Sequence, residues 1–324
     1  MAEWSCSGLQ SRLRRFDSDP SLHVIRLHQF AALESGPALL VLGAVHGNET
    51  CGTEACGRII AALEGGELSL LRGRVTLLPV TNPLAFRLRR RVGERNLNRN
   101  LRPRTEPLDF EDRVGNLLCP LLASHDVLLD LHSFLAPAEP FVMVGSTQAD
   151  SPEWRFARSL GARRCVTGWT EVYAAGVQRR RQAGEVTDPT LLDEQYGVGT
   201  TEYMRSCGGY GVTLECGQHE DPVAVDVAER AIRRSLAILG LIDAPAPSPA
   251  DCELLRLVEV VDRTHPDDAF AVEWSGFSPL TAGQLVAQRH DGQEIRAPAD
   301  GCIMFPNRLA AVGQEWFYFA RRES

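Results

Sequence analysis

Ala38-Leu39-Leu40-Val41-Leu42-Gly43-Ala44-Val45-His46-Gly47-Asn48-Glu49 is the stretch from which the rest of the chain can be read. Its apolar run predicts one strand buried on both faces, the habit of parallel strands covered by helices. The run stops at an imidazole and a carboxylate three residues apart, and a helical pattern follows from Cys51 to Leu63. Open α/β sheets gather their ligand-binding groups at such strand ends. His46 and Glu49 therefore form a two-point clamp for a divalent metal.

A second apolar run, Val127-Leu128-Leu129-Asp130-Leu131-His132-Ser133, places another imidazole at a strand end. His46, Glu49 and His132 would leave a tetrahedral zinc one open position, the arrangement of catalytic sites. Strand side chains alternate, so Asp130 points to the same side as His132 and could orient its ring. A third run, Gly211-Val212-Thr213-Leu214-Glu215-Cys216-Gly217, is interrupted by one carboxylate. Burying Glu215 requires a cation nearby or a changed protonation state, and a general base beside a metal meets those demands. Of the other histidines only His219 draws interest, because it lies close to Glu215 in sequence.

A strand from Val75 to Val80 leads into Asn82-Pro83 and then the Arg-rich stretch from Arg87 to Asn100. With 34 basic against 42 acidic residues and a net charge of −8, positive potential is local, which opposes nucleic-acid binding. A local guanidinium cluster suits a small carboxylate. All the basic residues are Arg, so Schiff-base chemistry by Lys is excluded. Nine Cys without a Cys-x-x-Cys pair point to reduced thiols. No apolar run approaches the roughly 20 residues that cross a bilayer. No export signal is visible at Met1 to Cys6, so a cytoplasmic location is expected.

Strands alternate with helical patterns at Cys51–Leu63, Phe110–Leu122 and Pro222–Leu239, which predicts an α/β layer with a largely parallel sheet over residues 1–244. Ala244-Pro245-Ala246-Pro247-Ser248-Pro249 reads as a stiff connector. Six short strand patterns between Leu254 and Ala320 then predict a smaller β-rich domain over residues 250–324. Residues 174–203 have weak periodicity and are expected to be an insertion at the mouth of the site.

Together these motifs resemble the succinylglutamate desuccinylase and aspartoacylase family, a branch of the zinc carboxypeptidase-like fold. The resemblance spans residues 38–324. It rests on Gly43 to Glu49, Asp130-Leu131-His132, Asn82-Pro83 with Arg91, and Asn96-Leu97-Asn98-Arg99, where Asn96 replaces the family's usual Asp. It extends to Glu215 and to the last strands around Ile303–Asn307 and Gly313–Tyr318. The resemblance implies a central mixed, largely parallel sheet flanked by helices and one zinc per chain. Glu215 is then the base and Arg91 the group that polarises a carbonyl. Asn98 and Arg99 would grip an α-carboxylate, Arg205 would read a second polar group, and Tyr318 would close the pocket. An internal pairing of Arg205 with Glu202 or Glu220 is the alternative. The implied activity is hydrolysis of small N-acyl amino acids, with no nucleic-acid or membrane partner and homo-oligomerisation left open. A zinc carboxypeptidase acting on small peptides and an inactive metal-binding module are the competing readings.

Overall fold

The computed structural model of the protein describes residues 24–183 and 189–323. Through the first two-thirds of the chain the strands are β1 (His28–Ala31), β2 (Ala38–Leu42), β3 (Arg74–Leu78), β4 (Val127–Phe134), β5 (Phe141–Met143), β6 (Arg164–Thr167) and β7 (Tyr210–Gln218). The helices are α1 (Cys51–Glu64), α2 (Pro83–Leu88), α3 (Phe110–Ala123), α4 (Pro152–Ser159), α5 (Trp169–Ala183), α6 (Thr200–Ser206) and α7 (Val223–Ile238). The remaining strands are β8 (Glu253–Asp262), β9 (Ala269–Phe270), β10 (Pro279–Leu280), β11 (Leu285–Gln288), β12 (Glu294–Arg296), β13 (Gly301–Met304) and β14 (Glu315–Arg322).

Eleven strands form one sheet in the order β1-β3-β2-β4-β7-β5-β6-β8-β14-β13-β10, and β12-β11-β9 form a second, small sheet. The centre, β3-β2-β4-β7, is parallel. Both faces of this centre are covered, and the strand sequences show how. Leu39 and Val41 join a core with Ile59 of α1 and Ala228 of α7, whereas Leu40 and Leu42 join a core with Val114 and Leu118 of α3. The same alternation places Leu129 and Leu131 in the first core, which turns Asp130 and His132 to the other face. On β7, Leu214 and Cys216 likewise pack in the first core and leave Glu215 facing away from it. In the parallel register His132 lies directly beside Glu215, so two distant sequence segments deliver their polar groups side by side.

The three helices predicted from periodicity, α1, α3 and α7, lie where expected to within a residue or so. Two strands not predicted, β5 and β6, carry the sheet onward from β7 to β8. The described residues from 250 to 323 form an antiparallel β-rich part, and because β8 pairs with β6 most of it extends the main sheet beyond the proline-rich connector. The expected strand at Phe270–Trp274 is confined to its first residue, and Val272 is exposed. In the segment from 174 to 203, α5 continues to Ala183 and a 3-10 turn covers Pro189–Leu192; residues 184–188 lie outside the described residues. Residues 1–23, where the expected lack of an export signal rests, also lie outside them.

Candidate functional site

The loop after β2 is shaped by close backbone contact. Ala44 adopts φ +45°, and a side chain on Gly47 would meet the Ala85 carbonyl carbon at 1.9 Å, so only glycine lets this loop lie against α2. Asn82 anchors α2 from the other side. Its side chain accepts from Ala85 N as the helix cap and donates to Glu111, while Pro83 fills the first helical position.

His46 and Glu49 thereby meet His132 at the end of β4. His132 Nδ1 lies 2.8 Å from Glu49 Oε2 and 3.1 Å from His46 Nδ1, and His46 Nδ1 lies 3.0 Å from Glu49 Oε1. All three residues are buried, and their donor atoms lie within 4.8 Å of one another, the only such group among the described residues. Each ring has a partner behind it. Asp130 Oδ2 lies 3.0 Å from His132 Nε2 and accepts from Thr200 Oγ1, and Asn96 Oδ1 lies 3.1 Å from His46 Nε2. Asn96, which stands where the resemblance implies an Asp, thus positions the His46 ring. With Nε2 donating to Asn96, the Nδ1 lone pair of His46 is directed into the cluster.

The electrostatics follow from this packing. Burial and the nearby Arg91 push His46 down to about 4. Burial opposes charge on His132 as well, yet Asp130 and Glu49 hold its pKa well above the usual imidazole range. Burial resists ionisation of Glu49, but the two imidazoles keep it well below the ordinary carboxylate range. Glu215 goes the other way: burial drives it well up, with Glu49 adding to the effect and His132 opposing it. Its Oε2 is buried and has no hydrogen-bond partner. Two imidazoles, one carboxylate and an orphaned carboxyl oxygen beside them fit a divalent ion that takes nitrogen and oxygen ligands.

A cavity of about 600 Å³ opens onto this cluster. His46, His132, Glu215, Arg91, Asn98, Arg99 and Tyr318 all line it. Arg91, half-exposed, donates to Glu49 Oε1 at 2.7 Å and reaches His46 Nδ1 at 3.1 Å. Arg99 donates to Glu315 at 3.3 and 3.4 Å and to the Tyr173 hydroxyl, and Tyr173 in turn meets the Tyr318 hydroxyl at 3.0 Å. Tyr173, Leu191 and Tyr196 show that part of the segment from 174 to 203 and its preceding turn borders the cavity.

Arg205 is not brought to the site. Its guanidinium donates to Glu153 at 2.8 and 2.9 Å, to Glu202 at 3.0 Å and to the Gly211 carbonyl at 2.9 Å, and it does not line the cavity. The expected reader of a second substrate group is therefore an internal ion pair, partly with Glu202 and chiefly with Glu153. Glu153 is buried in α4, and among the described residues Arg205 is its ion-pair partner.

Two contributors, Glu111 and Glu315, were missed in the sequence. Glu111, in the first turn of α3, accepts from the backbone N–H groups of Gly93, Glu94 and Arg95 and so fixes the loop that carries the arginines. Nothing in its local sequence marks it apart from the acid bias of a helix start. Glu315 is likewise unmarked. His219, singled out in the sequence for its nearness to Glu215 but given no role there, lines the cavity and bonds Ser133 Oγ at 2.9 Å.

The model of the succinylglutamate desuccinylase/aspartoacylase catalytic domain matches residues 35–242. No curated protein matches the sequence. Among solved structures, the product-bound ectoine utilization protein EutE of Ruegeria pomeroyi superposes with a TM-score of 0.68 at 20% identity, covering 92% of this chain and 89% of its own. A succinylglutamate desuccinylase/aspartoacylase from Rhodobacter sphaeroides gives 0.68 at 17% identity, covering 93% and 90%. The succinylglutamate desuccinylase of Vibrio parahaemolyticus gives 0.66 at 17% identity, covering 94% of each chain. At these identities the structural likeness is one of fold. Among the described residues no helix is long and apolar enough to cross a membrane.

Proposed function

Because this chain belongs to the succinylglutamate desuccinylase/aspartoacylase family, we propose that it is a zinc-dependent hydrolase that deacylates N-acyl amino acids, releasing a free amino acid and a carboxylate. His46, Glu49 and His132 would hold the ion, which when bound supplies Lewis acidity that makes water a nucleophile near neutral pH and polarises a carbonyl. The rest of the reaction falls to the chain's own groups. Glu215 takes a proton from the attacking water and passes it to the departing nitrogen as the C–N bond breaks and the new C–O bond stays. Arg91 has the exposure to turn from Glu49 toward the carbonyl oxygen as negative charge develops there. Asn98 and Arg99 meet the α-carboxylate, and Tyr318, from β14, closes the cavity beside them.

The observation that carries this reading is the orphaned, buried Oε2 of Glu215 next to the His-Glu-His cluster, both bordering one cavity. Glu215→Gln keeps the shape and removes the proton acceptor. Metal content by elemental analysis should be unchanged, while amine release from N-acyl amino acids falls about a hundredfold to ten-thousandfold. Rates within a few-fold of the parent at full metal content would show that the base lies elsewhere.

A further inference from the structure

The cavity lining divides by chemistry, and its arginines are already matched. Three arginines line it, and each faces a carboxylate: Arg91 with Glu49 at 2.7 Å, Arg95 with Asp109 at 2.8 Å and Asp112 at 2.9 Å, and Arg99 with Glu315 at 3.3 Å. Arg205 is committed to Glu153 outside the cavity. The Arg99–Glu315 contact is the loosest of these, so one substrate carboxylate can share Arg99. Among the described lining residues a second carboxylate finds no unmatched guanidinium, and burying it unpaired is costly.

A different part of the lining is aromatic. Phe134 ends β4, Phe141 begins β5, Phe277 precedes β10 and Phe305 follows β13, with Trp169 at the start of α5. The rings touch one another: Phe134 and Phe305 have centroids 6.1 Å apart, Phe141 and Phe277 5.1 Å, Phe141 and Phe305 5.4 Å, Trp169 and Phe305 5.9 Å. Two of them sit in backbone conformations that bulky side chains rarely adopt, Phe277 at φ +64° and Phe305 at φ +47°. Both pack against the buried core beside them and yet remain partly exposed, which leaves ring surface toward the cavity. Such outliers persist where surrounding structure imposes them, and they gather at ligand clamps.

We propose that this aromatic lining is a subsite for an aryl group, so that the substrates are N-acyl amino acids bearing one carboxylate and one aryl group, not dicarboxylates. The proposal names the substrate class of the deacylase reading and rests on it. The aryl group can belong to the acyl part or to the amino-acid side chain, and the recognition chemistry is the same.

The test uses the full chain loaded with zinc and compares kcat/KM for N-acetyl-phenylalanine, N-phenylacetyl-glycine, N-acetyl-glycine, N-acetyl-aspartate and N-succinyl-glutamate. At least one aryl substrate should exceed N-acetyl-glycine and both dicarboxylates by about tenfold or more, and which one does so assigns the side of the amide. Phe277→Ala should raise KM for that substrate and bring its advantage down toward the glycine level, while Phe277→Leu, which keeps apolar bulk, retains most of it. A dicarboxylate leading the panel, or an aryl advantage untouched by Phe277→Ala, overturns the subsite and leaves the deacylase reading standing. If no substrate is turned over, it is the deacylase reading that fails. Calorimetry with phenylacetate and succinate on the same protein then decides the subsite: phenylacetate binding that weakens in Phe277→Ala supports it, and succinate preference or no phenylacetate binding overturns it.

Discussion

Arg205→Met tests whether this guanidinium serves the fold or the substrate. The change removes two bonds to Glu153, one to Glu202 and one to the Gly211 carbonyl. Glu153 is 5% exposed and keeps only its backbone donors, Gly145 N and Ser146 N, both on Oε1, so Oε2 is left charged and unpartnered. Removing one member of a buried ion pair costs about 3–5 kcal/mol, and the 25% exposure of Arg205 lowers the expectation to about 2–4 kcal/mol. For a chain of this length each kcal/mol moves the melting temperature by about 2 °C, so Tm should fall by about 4–8 °C. Glu153→Gln removes the stranded charge, and the double variant should be more stable than the sum of single losses implies by about 1–3 kcal/mol. Urea unfolding of the four proteins measures that coupling. In parallel, the ratio of kcat/KM for N-acetyl-aspartate to that for N-acetyl-alanine should match the parent's. An unchanged Tm together with a selective loss on the aspartate substrate would refute the internal-pair assignment and return Arg205 to the substrate.

His46→Ala and His132→Ala should each lose bound metal on dialysis, since each removes one of three protein ligands at an open site; full stoichiometry by elemental analysis in both would dissolve the proposed centre. Asp268 offers a pH prediction in the C-terminal part. Burial opposes its charge, but backbone N–H groups of Thr264, His265 and His290 and the Arg289 guanidinium hold its pKa well below the usual carboxylate value. With the folded pKa depressed, its stabilisation is fully present above the unfolded value of about 3.9 and is lost as pH falls through the folded pKa. Asp268→Asn should therefore cost about 1–3 kcal/mol at neutral pH and flatten the decline of Tm below pH 4, and parallel Tm–pH curves for the two proteins would contradict this.

The parts of the molecule that were legible in the sequence are those where a local pattern dictates burial. The runs at Ala38–Leu42, Val127–Phe134 and Tyr210–Gln218 became buried parallel strands, because strands covered on both faces have to be apolar throughout. Within them, period-two alternation already put Asp130 with His132, and the lone carboxylate of an apolar run set Glu215 apart, so the His-Glu-His cluster and the candidate base could be named from sequence. Strands β5 and β6 escaped because three and four residues carry too little periodicity to read, yet they join the two halves of the sheet. Charge pairing escaped for a different reason. A guanidinium is satisfied by whichever carboxylate the fold brings within reach, and Arg205 to Glu153, Arg99 to Glu315 and His46 to Asn96 are separated by 52, 216 and 50 residues. Composition told only that there are 34 basic residues and a net charge of −8. The tertiary structure decided which of them line the cavity and which carboxylate each of those meets. It also assembled four phenylalanines from separate segments into one wall, a surface that exists only after the sheet has closed around it.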